Sequence, residues 1–401
     1  MLFSSLRTVS FRNLADTEVD TCAKDVFLVG ENGQGKTNFL EALYFCAYAS
    51  SFRSIRDSEL AQIKHCAQFK QRAHGDLVSP DTPSENSPND FSAAVKLSRA
   101  SLDEQSVNDE ILVKFEKGKK SIFINGKRAE DRKELLSIAP SIVFCHEDME
   151  FVNGSPERRR WFFDQTLSLY DPVYLEDLRR YRHVLKSRNA VLKDCSLGRH
   201  IGNSDEILDA LDPQFAMYGV NLMKNRETAA RNFSDVFSSL YEDVTGISGI
   251  TVQYSQSWKS GPQLAESEIV FNLRQKRAAE TSAGLSLSGP HRDRYIFAHN
   301  GRDFTVTAST GQRRLLALLL RAAQAKRFSA MTNLNPILLL DDVLLEMDGE
   351  KRRRFLSVLP AYDQAFYTFL PDEPYQRYQK DDTLVYKVCD GAYRKFECSS
   401  W

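Results

Sequence analysis

The run Gly30-Glu31-Asn32-Gly33-Gln34-Gly35-Lys36-Thr37 fits G-x-x-x-x-G-K-[ST], a phosphate-binding loop. Its glycines let the backbone curl so that successive N–H groups face phosphate oxygens. Lys36 brings positive charge to the β- and γ-phosphates, and the Thr37 hydroxyl is a ligand for Mg2+. Taken alone, the same residues are also a Gly-rich turn ahead of a helix. Further along, Ile337-Leu338-Leu339-Leu340-Asp341-Asp342 is an apolar run ending in two acids. At the C-terminal edge of a strand, Asp341 would hold the metal through water, and Asp342 would orient or deprotonate the attacking water. A solvated strand end is the bland reading of Asp-Asp by itself. Together with the loop, the pair makes a site for a nucleoside triphosphate and Mg2+.

Such groups need a scaffold that sets the loop between a strand and a helix. Val26 to Gly30 reads as that strand, and Phe39, Leu40, Leu43, Tyr44 and Ala47 follow at helical spacing. A helix N-terminus, which favours anions, therefore receives the loop. Residues 337–340 are apolar at every position, as in a central parallel strand buried on both faces. LFSSLRTVSFRNL, QRAHGDL, FSAAVKLS, EILVKFE and KSIFINGK read as further strands, the last carrying Asn125-Gly126, a type I′ hairpin signal. Ser79 to Asp90, rich in Pro and Ser, reads as a surface loop. From Ser155 to Glu242 helical periods dominate, through Phe162, Leu167, Leu178, Tyr181, Leu208 and Phe215. A long helix is expected from Gln312 to about Arg327, then two last strands in YDQAFYTFL and DTLVYKV. The fold class is α/β with mixed sheets, split by a helical insert: a head in 1–140, a helical arm in 141–282 and the rest of the head in 283–401.

The 401 residues, 42% hydrophobic, are enough for two or three domains with cores of their own. Fifty-three Lys and Arg against 54 Asp and Glu give a net charge of −1. That excludes holding nucleic acid by overall charge, though not by a local basic patch. No apolar run approaches the roughly 18 residues of a membrane span. The N-terminus shows no secretory pattern, and seven Cys without a C-x-x-C pair read as reduced thiols. A cytoplasmic, nucleoid-associated chain with no membrane partner is expected.

Residues 151–200 depart from the overall balance, with ten Lys and Arg against six Asp and Glu. Arg158, Arg159, Arg160, Arg179, Arg180 and Arg182 can track DNA phosphates. Equally, they can be charged helix faces paired with Glu157, Asp164, Glu176 and Asp177. His291 reads as a structural rather than a catalytic histidine, and Lys351 to Arg354 as a solvated helix start.

Upstream of Asp341, Ser309-Thr310-Gly311-Gln312 opens the helix RRLLALLLRAAQA. Ser309 or Thr310 can simply cap that helix. In this order and place, however, Ser-x-Gly-Gln is similar to the signature motif of ABC-type ATPases. Its hydroxyl and helix dipole can bind a γ-phosphate held by another subunit; Ser309 and Gln312 thus join Lys36 and Asp342 as catalytic candidates. SFRNL, GENGQGKTNFLEALYF, GSPERRRWFFDQ, YLEDLRRYRHVLKSRNAVLKD, SGPHRDR, STGQRRLLAL and ILLLDDVLLEMD together resemble the RecF family of bacterial DNA replication and repair ATPases, over essentially the whole chain. The SPERRRWFFD and SGPHRD segments carry most of that specificity.

The resemblance implies an ABC-type P-loop ATPase head related to Rad50 and SMC heads, with the helical arm in place of a long coiled coil. It further implies a weak, DNA-stimulated ATPase using ATP and Mg2+. ATP would close a homodimer on double-stranded DNA at junctions with single-stranded gaps, in recombinational repair and replication restart, with RecR and RecO as partners. Leu345 stands where the family usually carries Ser at the end of the D-loop. No His follows FYTFL, where transporters carry a switch histidine, which argues against a transporter subunit. A second reading is an ATP-gated module that assembles proteins, with DNA binding secondary. A phosphotransferase is disfavoured, because a kinase has no use for a signature acting on another subunit.

Overall fold

The computed structural model describes residues 1–54, 56–62, 90–99, 107–199, 202–258, 265–343, 347 and 349–396. The expected strand QRAHGDL, the loop Ser79 to Asp90 except Asp90 itself, and Leu345 lie outside them. Among the described residues no helix is long and apolar enough to cross a membrane.

The chain packs as two compact units: residues 1–147, 335–347 and 361–401 form the first, 148–334 and 348–360 the second. This partition differs from 1–140, 141–282 and 283–401 in one consequential place. The long helix Thr310–Thr332 that carries the Ser309 motif packs in the second unit, against the helices Ser204–Thr245 and Glu150–Asn153. Packing partners, not position along the chain, decide its unit.

The first unit holds two six-stranded sheets. One is ordered Ala392–Lys395, Leu384–Cys389, Asp25–Val29, Gln364–Phe369, Ile337–Leu340, Ser141–Phe144, parallel except for its first strand. Asp25–Val29, Gln364–Phe369, Ile337–Leu340 and Ser141–Phe144 are buried at every position, which is why their sequences lack alternation. Gln364, fully buried in the centre, is tolerated because its amide is satisfied. Its Nε2 donates to the carbonyls of Phe3, Thr21 and Ala23, and its Oε1 accepts from Phe3 N. The other sheet is antiparallel, ordered Glu18–Asp20, Leu2–Val9, Phe91–Arg99, Val107–Glu116, Lys119–Ile124, Lys127–Arg128. Its last hairpin turns at Asn125 (φ 51°) and Gly126 (φ 75°), as their types predict.

The second unit is helical around a small sheet of Arg302–Asp303, Arg294–His299 and Ile250–Ser255. Helices Pro156–Ser168, Pro172–Ser196, Ser204–Thr245 and Glu266–Ala283 enclose a core of Tyr174, Tyr181, Phe215, Val220, Trp258 and Leu273. Two buried arginines tie them together. Arg188 donates to Asp212 (2.8 Å), Glu280 (2.6 Å) and Ser286 (2.8 Å). Arg226 holds Asp164 with two nitrogens and reaches Asp293 at 3.1 Å. Removing one partner of such a buried pair costs about 3–5 kcal/mol, because a charge is left without its counterpart.

Candidate functional site

The phosphate loop begins where Asp25–Val29 runs out at Gly30. A Cβ there would sit 2.4 Å from the Val388 carbonyl oxygen, so only glycine lets the chain pass. Gly35 then caps the helix Lys36–Tyr48 at φ 112°, with no side chain on the first-turn N–H groups and no acid in that turn. These are the features that leave a helix N-terminus available to an anion. Lys36 is buried and curls over the loop, its Nζ donating to Gly30 O (2.6 Å) and Glu31 O (3.0 Å). The remainder of the loop is braced by its neighbours. Asn13 Nδ2 donates to Gly33 O at 3.0 Å, and Gln34 accepts from Asp390 N at 2.6 Å and Gly391 N at 2.9 Å.

Sheet order brings the second half of the site to the loop. Thr37 Oγ1 donates to Asp341 Oδ1 at 2.8 Å. Burial, then the neighbouring Asp342, push Asp341 up to about 7, against the pull of the Thr37 bond. Mg2+ takes hard oxygen ligands, keeps waters and needs only one or two protein oxygens beside the phosphates. The Thr37 hydroxyl and Asp341 carboxylate fit that demand. Among the described residues no group of three or more His, Cys, Asp or Glu could hold a metal unaided. Asp342 occupies the left-handed region (φ 50°), which Asp tolerates better than most residues. Thr368 fixes it there: its Oγ1 accepts from Asp342 N at 2.7 Å and donates to Asp342 Oδ1 at 2.9 Å.

A cluster beneath the loop helix supports this edge. Buried Glu41 receives Arg12 through Nε (2.9 Å) and Nη2 (3.0 Å) and also accepts from Ser51. Arg53 reaches Asn38 at 3.1 Å and Glu147 at 3.6 Å.

In the second unit, Ser309 is the N-cap of Thr310–Thr332. Its Oγ accepts from Gln312 N (3.3 Å) while Gln312 Oε1 accepts from Ser309 N (2.8 Å), a reciprocal capping box. Ser309, Thr310 and Gly311 are exposed, and a Cβ on Gly311 would meet nothing within 4 Å. The cap thus leaves the helix end open to an approaching group.

The family model described as RecF/RecN/SMC N terminal domain matches residues 2–380. The DNA replication and repair protein RecF of Treponema pallidum (strain Nichols) is 39% identical over 387 residues, 96% of this chain and 99% of that protein. This chain belongs to the RecF family. The RecF of Clostridium perfringens (strain 13) is 30% identical over 393 residues, 98% of this chain and 99% of its own. Among solved structures, the recombination mediator protein RecF with ATP matches with a TM-score of 0.81 at 24% identity, covering 98% of this chain and 97% of that one. An Smc head bound to the C-winged helix domain of ScpA matches at 0.53 and 14% identity, covering 99% and 97%. The fold is the ABC-type ATPase head that RecF shares with SMC proteins.

The six arginines expected on DNA do not form one surface. Arg159 turns inward and donates to Val152 O (2.7 Å) and Tyr295 O (3.1 Å), which removes it from the residues proposed for phosphate contact. Arg158 pairs with Glu150 at 2.8 Å and Arg180 with Glu176 at 2.9 Å, as charged helix faces do. Arg179 is exposed on the helix Pro172–Ser196. Arg182 pairs with Asp164 at 3.3 Å and Arg160 donates to Asp293 O at 2.7 Å; the two line one cleft with Arg292 and Arg294. His291 lines the same cleft, with Tyr181 Oη 2.8 Å from its Nδ1 and Ser286 O 3.1 Å from its Nε2, and burial lowers it to about 4, so it stays neutral. Sequence reasoning missed Thr368, whose signal was a small hydroxyl among the aromatic residues of Gln364–Phe369, and the pairing of Arg12 with Glu41, which lie in two separate family-matching segments, SFRNL and GENGQGKTNFLEALYF.

Proposed function

We propose that this RecF-family chain is a DNA-binding ATPase that acts in DNA replication and repair in the cytoplasm, at the nucleoid. The observation that carries the reading is the Thr37–Asp341 hydrogen bond of 2.8 Å, which sets a hydroxyl and a carboxylate together at the lip of the phosphate loop. The loop N–H groups and Lys36 bind the β- and γ-phosphates of ATP. Mg2+, when bound at Thr37 and Asp341, neutralises charge on those phosphates. Asp342, steadied by Thr368, orients a water and accepts its proton as the water oxygen bonds to the γ-phosphorus. The bond to the β-γ bridging oxygen breaks, and ADP leaves. Ser309 and the helix end behind it meet the γ-phosphate of a second copy, so that ATP closes a homodimer on duplex DNA beside a single-stranded gap and hydrolysis reopens it. RecR and RecO are the protein partners proposed at that junction. Steady-state ATP turnover with and without gapped duplex tests this. Stimulation by DNA is expected; turnover indifferent to DNA at saturating concentration would favour the protein-assembly reading.

A further inference from the structure

SPERRRWFFD and SGPHRD, the segments most specific to the family resemblance, have no part in the nucleotide site. In the second unit they line one cleft of about 610 Å³. Arg160, Arg182, Arg292 and Arg294 line its walls and Arg226 its floor, against only Glu157 and Asp164. Asp164 is already held by Arg226 at 2.8 and 3.0 Å. Arg294 is exposed and has no side-chain hydrogen bond or ion pair among the described residues. Arg292 is also exposed, with a single long contact, 3.4 Å to Ser286 O. Arg160 is half-buried, with Nη1 donating to Asp293 O at 2.7 Å; burial and then Arg226 lower its pKa, while Asp293, Glu157 and Asp164 raise it. Ser155, the N-cap of Pro156–Ser168, makes no side-chain capping bond, and Ser155, Pro156 and Glu157 all line the cleft. Trp161, 38% exposed, stands in the same wall with Phe151 stacked behind it at 5.8 Å between ring centroids.

Forked guanidiniums suit phosphate oxygens, and a backed indole suits a base. The cleft has the volume of a small-molecule pocket, so a duplex does not enter it and a nucleotide does. We propose that it takes one unpaired nucleotide of a DNA strand, its phosphate among Arg160, Arg292 and Arg294 and its base on Trp161. This rests on the DNA reading above and adds the chemistry by which an unpaired end is told from continuous duplex.

The test is fluorescence anisotropy of the full chain with ATP on two labelled DNAs of equal length, one continuous duplex and one with a thymidine overhang. Trp161→Ala should weaken overhang binding about tenfold, the loss of one stacked base, while Trp161→Phe keeps it. Continuous duplex should stay within about twofold for both variants. Arg294→Gln should flatten the salt dependence on the overhang by about 0.7 in slope. Equal losses on both DNAs, or none on the overhang, overturn the proposal. So does displacement of the overhang by free dTMP at equal nucleotide concentration, which would make the cleft a small-nucleotide site. A poly-glutamate peptide that binds the wild type but not Arg294→Gln, with overhang binding intact, would assign the cleft to an acidic protein segment instead. Failure of the wild type to bind either DNA would defeat the DNA reading itself, not the cleft alone.

Discussion

Replacing Thr368 with Val keeps the shape of a buried side chain and removes only its hydroxyl. That hydroxyl accepts from Asp342 N at 2.7 Å, donates to Asp342 Oδ1 at 2.9 Å and lies 3.3 Å from Asp341 Oδ1. With one proton it serves one carboxylate at a time, and the shorter contact is to Asp342. In Thr368→Val the Asp342 N–H loses its acceptor, at a cost of about 1–3 kcal/mol, and a charge-assisted bond of about 1.5–3 kcal/mol goes with it. The two losses share one site and do not add fully, so a fall of about 2–4 kcal/mol in folding stability is expected. Since Asp342 then loses the hydroxyl that holds its angle toward water, single-turnover ATP hydrolysis should slow by about ten- to a hundredfold. Equilibrium binding of a fluorescent ATP analogue should change little, because Lys36 and the loop are untouched. Urea unfolding, nucleotide binding and single-turnover kinetics on Thr368→Val and Thr368→Ser separate the terms, Ser retaining the hydroxyl. Hydrolysis by Thr368→Val within about twofold of wild type, at full nucleotide occupancy, would show that Thr368 does not position Asp342.

Lys36→Ala should lose nucleotide binding, whereas Asp342→Asn, whose side chain tolerates the same left-handed backbone, should bind ATP and hardly hydrolyse it; turnover within tenfold of wild type would show that the base is elsewhere. Ser309→Arg and Lys36→Ala proteins should each be inactive alone. Mixed at random, about half the dimers are heterodimers with one whole site each, so about a quarter of the sites are whole and turnover, or at least ATP-dependent dimerisation by light scattering, should return. Recovery in neither assay, with both variants folded, counts against a signature acting in trans. His291 sits at about 4 when folded and near its ordinary 6.5 unfolded, so between those values the unfolded chain binds more protons and stability falls as pH drops. From pH 7 to 5 the difference between wild type and His291→Gln should reach about 2 kcal/mol in urea melts. The charges of Arg292, Arg160 and Arg188 beside it also lower His291, and subtracting the variant's curve removes the contribution of Asp293, whose carboxyl burial raises. Equal slopes in the two proteins would mean that His291 titrates normally.

What could be read from the sequence was whatever a short stretch of backbone decides by itself. Gly30 to Thr37 spell a loop whose positive φ values at Gly33 and Gly35 need those residue types. Asn125-Gly126 spells its hairpin, and Ser309 with Gln312 spells a cap, because each pattern closes its own hydrogen bonds within a few residues. Residues 337–340 announce a buried strand because they have no polar face to show water. Partners far apart along the chain were decided only by the tertiary structure. Thr368 meets Asp342 because Gln364–Phe369 pairs with Ile337–Leu340 on one side and Asp25–Val29 on the other, an order no local pattern encodes. The arginines make the same point within one tripeptide. Helical phase separates Arg158, Arg159 and Arg160 by direction, yet what each guanidinium meets is set elsewhere. A carbonyl at Tyr295, 136 residues away, draws Arg159 inward, and the arrival of Arg292 and Arg294 turns Arg160 from a helix-face charge into part of a cleft. Charge and spacing are properties of the sequence; whether a charge finds a partner depends on which distant segments the fold lays beside it.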